Sequence, residues 1–341
     1  MNNTISLKEQ WNKLKENNPH LRIRNAAFAL GVSEVELLAL NINEGVTLLE
    51  PHFEALLKEI EQLGKVMALS RNNEAVHERK GVYLNADFTS THAQLFIGED
   101  IDLRIFLNQW VSAFAVSEGD RKSFQFFGKD GEAIHKIYLT KDSDATAFEK
   151  LVEKYKSPQQ DVNLTITPSI PNVIEKADGE IDVFGFQNEW KNLQDTHNFF
   201  GLLRKFQVSR TQALRLAPDH YYAKPINKDS IVKMLEKVAE TQLPIMVFVG
   251  NKGIIQIHTG PIKKTLWHEQ WFNIMDPDFN LHLDMSKISQ TWLVRKPTAD
   301  GVVTSIEVFN EMGDVIVQFF GKRKPGIPEL AAWQEIVKDL I

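Results

Sequence analysis

Residues 65–81, KVMALSRNNEAVHERKG, and residues 244–260, PIMVFVGNKGIIQIHTG, carry the same pattern of apolar and polar positions. Each reads as a strand, a turn containing asparagine, and a second strand, which predicts a β-hairpin. The two align without a gap at a separation of 179 positions, with Met67/Met246, Asn72/Asn251 and Gly81/Gly260 identical. A second strand–glycine turn–strand pattern recurs in 123–138, SFQFFGKDGEAIHKIY, and 305–320, SIEVFNEMGDVIVQFF, at a separation of 182. Ser123/Ser305, Phe127/Phe309, Gly131/Gly313 and Ile134/Ile316 coincide there. Trp11 and Trp190, again 179 apart, each open a helical segment. Agreement at nearly one separation in three places identifies a tandem duplication.

Each half then predicts helices first, a run of antiparallel hairpins next, and a closing helix at 144–156 or 327–341. Helices gathered beside antiparallel strands define an α+β fold. The expected organisation is an N-terminal repeat at 1–160, a linker at 161–180 and a C-terminal repeat at 181–341. The Pro-, Ser- and Asn-rich stretch SPQQDVNLTITPSIPNVIEKADGE leads into and forms that linker. The period is too long for a solenoid. Two related halves commonly leave a cleft between them, and such clefts are frequent ligand sites.

Composition narrows the chemistry. The chain has 341 residues, 43% hydrophobic and 25% charged, which are globular values. No apolar run reaches the roughly 18 residues needed to cross a bilayer. The polar start MNNTISLKEQWNKLKENN lacks the apolar segment of a signal peptide, so a cytoplasmic protein without membrane insertion is expected. There is no cysteine, which excludes disulfides, thiolate metal sites and cysteine nucleophiles. A net charge of −6 argues against a large nucleic-acid surface.

Against that background His197 stands out, in QDTHNFFGLLRKFQVSR (194–210). On a continuous helix Trp190, Leu193, His197, Phe200 and Arg204 would share a face. Gly201, one turn on, would clear space beside the imidazole for a flat ligand, although glycine costs about 1 kcal/mol relative to alanine in a helix. A core histidine beside a packing glycine is the other reading of this stretch. Arg104, in DLRIFLNQW (102–110), is an arginine among strand apolars. It is either a buried guanidinium with an anionic partner or an edge-strand side chain facing water. A cationic set, Arg204, Arg210, Arg295, Lys296, Lys322 and Arg323, falls near turns and suits carboxylate binding, or else forms a solvated surface. His77 is a weaker ligand candidate, since the duplication places Gln256 at its equivalent. IRNAAFALGVSEVELLAL (23–40) resembles a helix-turn-helix, but inside a duplicated unit helical packing is favoured over DNA reading. Walker A, GxGxxG, GxSxG and HExxH patterns are absent.

The segments DTHNFFGLLRKFQVSR, DLRIFLNQW, MVFVGNKGIIQIHTG and VRKPTADGVVTSIEVF resemble the bacterial haemin-degrading and haem-trafficking proteins of the HemS/ChuS (HmuS) type. The resemblance runs from Trp11 to the last helix. It implies haem in a cleft between the halves, with His197 as the proximal iron ligand and Arg104 as the distal arginine. It also implies Arg210 and Lys296 at the propionates, and Phe106, Met246 and Phe248 on strands lining the pocket. Lys322 and Arg323 fall in a segment that reads Tyr-Gly-Gln-Arg in family members and Phe320-Gly321-Lys322-Arg323 here. Phe320 lacks the phenolic hydroxyl, and Lys322 is expected to replace that contact by charge. Two functions follow from one site. In the first, the resemblance implies that the protein opens the porphyrin ring with oxygen or peroxide and a reductant, releasing iron. Alternatively it carries haem from an inner-membrane ABC importer to a separate haem oxygenase. The electron donor leaves no motif, and His77 is a candidate for a second haem.

Overall fold

The computed structural model describes residues 6–90, 92–161, 164–168, 175–324 and 326–340. Of the expected linker, 162–163 and 169–174 lie outside the described residues, as do the first five residues and Ile341 at the end of the second closing helix.

The first repeat runs α1 (Leu7–Asn17), α2 (Ile23–Leu30), α3 (Glu34–Ala39), β1 (Val46–Leu49), α4 (Phe53–Glu59), β2 (Gly64–Arg71), β3 (Ala75–Gly81), β4 (Ala86–Asp87), β5 (Gln94–Ile97), β6 (Asp102–Ile105), β7 (Trp110–Glu118), β8 (Arg121–Gly128), β9 (Ala133–Ser143) and α5 (Ala145–Tyr155). The second repeats it element for element. It runs α6 (Val183–Lys191), α7 (Asn198–Phe206), α8 (Arg210–Arg215), β10 (Ala223–Pro225), α9 (Asp229–Thr241), β11 (Ile245–Asn251), β12 (Ile254–Gly260), β13 (Thr265–His268), β14 (Trp271–Met275), β15 (Phe279–Asp284), β16 (Gln290–Thr298), β17 (Gly301–Phe309), β18 (Val315–Gly321) and α10 (Ala331–Lys338). The duplication and the α+β class read from sequence are both present.

The strands form two nine-stranded sheets. In the first, β1-β7-β8-β9-β2-β3 continue into β15-β14-β13; in the second, the equivalents β10-β16-β17-β18-β11-β12 continue into β6-β5-β4. Each sheet is therefore six strands of one repeat and a three-stranded meander of the other. The compact units are accordingly not contiguous stretches. One comprises 1–70, 79–170 and 251–255, the other 71–78, 171–250 and 256–341.

The two turn asparagines explain how each exchanged hairpin tip is held. Asn72 Oδ1 accepts from the backbone N–H groups of Glu74 (3.1 Å) and Ala75 (2.8 Å), closing its own turn. Its Nδ2 donates to the carbonyls of Gly250 (3.2 Å) and Ile316 (2.8 Å) within the second unit. In the first unit Asn251 Oδ1 accepts from Gly253 N–H (3.0 Å), and Nδ2 donates to the Ile134 carbonyl (2.8 Å). Ile134 and Ile316 are themselves repeat equivalents, so the same clamp is made twice. Gly253 is required at its place: a Cβ there would lie 2.7 Å from the Ile134 side chain, while its carbonyl accepts from Phe106 N–H (2.9 Å) and Trp110 Nε1 (3.0 Å).

Strand alternation sorts the core. In β11, Ile245, Val247 and Val249 are fully buried, whereas Met246 and Phe248 point to the other face and are half-buried. The buried set packs with Leu293, Ile306 and Phe319 against Met234, Leu235 and Val238 of α9 and Trp333 of α10. The first unit has the same layering, with Val66, Ala68, Phe124 and Ile137 against Leu56 and Leu57 of α4 and Phe148 of α5. Trp11 and Trp190 are both buried, but within α1 and near the end of α6 rather than at helix starts.

The helix-turn-helix resemblance is geometrically real and occurs twice. Gly31 ends α2 in the left-handed conformation (φ 69°), followed by Val32 and the cap Ser33. After α7 the same turn is made by Gln207 (φ 55°), Val208 and Ser209. A non-glycine residue takes the strained position, at a cost of about 1–2 kcal/mol. In α3 the residues Glu34, Val35, Leu37 and Leu38 are buried, so this helix packs into its unit through that face.

Removing the amide of Asn72 or Asn251 leaves buried backbone groups without partners. Asn72→Ala and Asn251→Ala should each cost about 1–3 kcal/mol, read as a lower urea midpoint at unchanged slope. A wild-type midpoint would refute the clamp. His135, almost fully buried, bridges Ser70 Oγ (2.8 Å) and Tyr83 Oη (2.6 Å) through its two ring nitrogens. Burial lowers its pKa from 6.5 to about 3. The folded state refuses a proton that the unfolded chain takes up below about pH 6.5. Stability should therefore be fully present above that pH and fall as the solution is acidified towards pH 3, by about 1.4 kcal/mol per pH unit once the unfolded histidine is charged. Denaturant titrations between pH 7 and 4 should show a steeper acid loss in wild type than in His135→Gln; equal slopes would refute it.

Candidate functional site

His197 is not on a continuous helix with Trp190. Helix α6 ends at Lys191, and a turn at 192–196 delivers His197 to the N-cap of α7. Trp190 and Leu193 are buried, whereas the His197 side chain is 87% exposed. The core-histidine reading is thereby overturned. Asp195 causes the break: its Oδ1 accepts from the His197 backbone N–H (2.8 Å), fixing the turn that starts α7. The same oxygen accepts from His197 Nδ1 (2.7 Å). An ionised carboxylate only accepts, so Nδ1 is the donor in this contact and Nε2 is directed away from Asp195. The His197 N–H, with help from the imidazole and Arg323, holds the Asp195 carboxyl below its ordinary value against partial burial. Gly201 faces open space, since an added Cβ meets nothing within 4 Å. It has no packing role.

Beneath α7 lies a buried charge cluster. Glu307 on β17 has no exposed side chain, and Arg210 at the start of α8 forks onto it through Nε (2.7 Å) and Nη2 (2.9 Å). Lys296 on β16, also buried, donates to Glu307 Oε1 at 2.6 Å. Burial pushes the Glu307 carboxyl up, but Arg210 and then Lys296 outweigh it and hold the group well below the carboxylate range. Burial lowers the Lys296 ammonium, with Glu307 opposing. Both cations also lie on aromatic faces. The Lys296 nitrogen is 4.7 Å from the Phe199 ring centre, and the Arg210 guanidinium is 5.4 Å from both Phe199 and Phe200. The expected propionate ligands are thus already engaged with a carboxylate that the sequence did not single out. The cluster carries one net positive charge and anchors the two phenylalanines that follow His197.

The same face of the second unit's sheet continues past the helices. Cross-strand register places Met246 opposite Phe320, Phe320 opposite Ser305, and Phe248 opposite Gln318. Phe248 and Phe320 rings are 5.0 Å apart. Met246, Phe248, Gln318 and Phe320 are half-buried and form a largely apolar wall, with Ser305 buried behind it. Gln318 joins the wall without having been singled out by sequence; its strand alternation with Phe320 was the available signal. Arg323, just beyond β18, reaches the electrostatic range of Asp195, while Lys322 is exposed. Arg204 is exposed, and Arg295 donates to the Tyr221 carbonyl at 2.9 Å.

In the first unit Arg104 is half-buried on β6. It pairs with Asp102 two residues earlier on the same face and donates to the Leu103 carbonyl (3.1 Å). Burial pushes the Asp102 carboxyl up, with Arg104 opposing. Phe106 follows on that face, while Leu103 and Ile105 point into the core. His77 is fully buried against Phe279, at 5.0 Å between ring centres, so it presents no open ligand for a second haem. Among the described residues no group of three or more His, Asp or Glu side chains is arranged to hold a metal ion. Among the described residues no helix is long and apolar enough to cross a membrane.

The repeated topology defines a duplicated α+β protein, with His197 held outward at the start of a helix of its second repeat. A family model described as the haemin-degrading HemS.ChuX domain matches the chain twice, over 31–155 and 207–340, and the chain belongs to that family. It is 37% identical to the hemin transport protein HmuS of Yersinia pestis, over 98% of this chain and 97% of that one. Its fold matches holo-PhuS, a heme-binding protein from Pseudomonas aeruginosa, with a TM-score of 0.95 and 42% identity over 98% of both chains. It also matches the heme degrading enzyme ChuS of Escherichia coli O157:H7, with a TM-score of 0.91 and 33% identity over 98% of both chains.

Glu307→Gln leaves two buried cations without their counter-charge. It should cost about 3–5 kcal/mol of stability, measured by denaturant unfolding at pH 7. A loss below about 1 kcal/mol, the value of an exposed pair, would show that water compensates the cluster.

Proposed function

We propose that this protein binds haem in the cytoplasm and carries it, taking it from an importer and handing it to a separate oxygenase. The observation that supports this most directly is His197, an exposed imidazole with Nδ1 engaged and Nε2 available, which is the form that ligates iron. The likeness to proteins described as hemin transport and heme-binding supports the same reading. In this proposal His197 is the axial ligand and Phe106, Met246 and Phe248 are apolar walls. Arg323, Lys322, Arg210 and Lys296 supply positive charge for the two propionates. Phe320 removes a hydroxyl from that rim, and Lys322 offsets it by charge. An exposed ligand position suits a carrier, because cargo must be released as readily as it is taken.

Ring opening by the protein itself is the second reading, favoured by the likeness to the heme degrading enzyme ChuS. Haem is then substrate, and oxygen or peroxide and an electron donor are consumed. Arg104 would serve by electrostatics, since a guanidinium stays protonated, donates hydrogen bonds and cannot act as a base. Asp102 would orient it.

An absorbance titration with ferric haem should give a saturable Soret band in wild type. His197→Ala should weaken binding and change the band, and an unchanged spectrum would sink the axial assignment. Reductant is then added with and without catalase. A stable band whose haem passes to an acceptor protein supports the carrier. Decay with iron released to a chelator, in the presence of catalase, supports the enzyme. In that event Arg104→Ala should retain binding and slow decay by about 10²-fold or more, as for loss of one oriented donor.

A further inference from the structure

Asp195 contacts one residue twice. Its Oδ1 takes the backbone N–H of His197 at 2.8 Å and the ring Nδ1 at 2.7 Å, and Thr196 Oγ1 lies at 3.5 Å from the same atom. The backbone contact fixes the carboxylate relative to the start of α7, and the ring contact fixes the imidazole relative to the carboxylate. Together they favour one ring torsion and a proton on Nδ1. Nothing else in the turn could do this: the flanking Gln194 and Thr196 are neutral, and an amide or hydroxyl does not demand a proton on Nδ1 as an anion does. The corresponding helix of the first repeat is capped by Arg22 and has no imidazole, so the pair belongs to the second repeat.

We propose that Asp195 is the positioning residue of the site: it locks His197 in the Nδ1–H tautomer in the empty protein and makes it a strong electron donor, selecting ferric over ferrous haem. The second half rests on the reading of His197 as axial ligand. A charge-assisted bond to Nδ1–H raises the basicity of Nε2, as carboxylates do behind metal-bound histidines. Both partners are exposed when the site is open, where water weakens the bond. A flat apolar ligand laid over them would exclude that water and strengthen it. A basic imidazole stabilises the more highly charged iron, so the effect falls on the ferric state.

The first test uses nitrogen NMR of histidine-labelled empty protein at a pH where the imidazole is neutral. Wild type should show His197 with Nδ1 protonated and Nε2 unprotonated, and Asp195→Asn should show both tautomers. A dominant Nε2–H form in wild type would overturn the proposal without reference to haem. The second test is spectroelectrochemistry of the haem-loaded proteins. Asp195→Asn should lose about tenfold in ferric affinity relative to ferrous, a rise of about 59 mV in midpoint for one electron. An unchanged midpoint would overturn the donor role. A wild-type Soret band in His197→Ala would overturn it too, by removing the axial ligand, while the nitrogen spectrum still decides the hydrogen-bond lock on its own.

Discussion

A carboxylate with no exposed surface governs the second repeat. Glu307 has no exposed side chain and survives as an anion because Arg210 forks onto it, Lys296 donates to it and the Ser305 hydroxyl donates at 3.1 Å. The cluster is costly to assemble and more costly to break. What it yields is placement. Arg210 begins α8, Lys296 and Glu307 sit on neighbouring strands, and both cations lie on Phe199 or Phe200. Helix α7 is thereby fixed to the sheet through its first turn, where His197 is carried. The exposed histidine gains a rigid base that its own contacts, apart from Asp195, do not supply.

The first repeat solves the same packing problem with the charges reversed. Its helix α3 begins with Glu34, which pairs with Lys136 on β9. Gln125, across the ladder from Lys136, stands where the second repeat has Glu307, and Lys136 stands where it has Gln318. An anion on the helix and a cation on the sheet replace a cation on the helix and an anion on the sheet. Both tie the second helix of a helix-turn-helix to the strands. With the sign reversed and no imidazole at the helix cap, the first repeat keeps the scaffold and not the outward histidine.

The exchange of hairpin tips makes the two repeats interdependent as folded objects. Asn72 and Asn251 each close a turn with Oδ1 and reach a strand carbonyl of the other repeat with Nδ2. A side-chain amide is suited to this, since it accepts and donates at once. Gly253 shows how close the approach is, for a methyl group would strike Ile134. Identity of the asparagines between repeats was visible in the sequence as a mark of duplication. Their function as clamps was not, because the carbonyls they bind lie 117 and 244 residues away in the chain.

The sequence by itself determined the duplication, the α+β class, the hairpins with their turns, and the candidacy of His197 and Arg104. Those follow from local patterning and from residue chemistry, which do not depend on distant contacts. The tertiary structure decided the rest. It broke the supposed helix at 192–197, because Asp195 captures the His197 N–H in preference to a continued helical ladder. It turned Gln207 into a left-handed cap where the sequence lacked glycine, since packing on both sides outweighs the strain. It buried Lys296 and His77, which composition alone would leave open as surface groups. It also gave Glu307 its weight: a lone glutamate in an alternating strand reads as solvent-facing, and only the arrival of Arg210 and Lys296 from distant segments makes an anion stable at zero exposure.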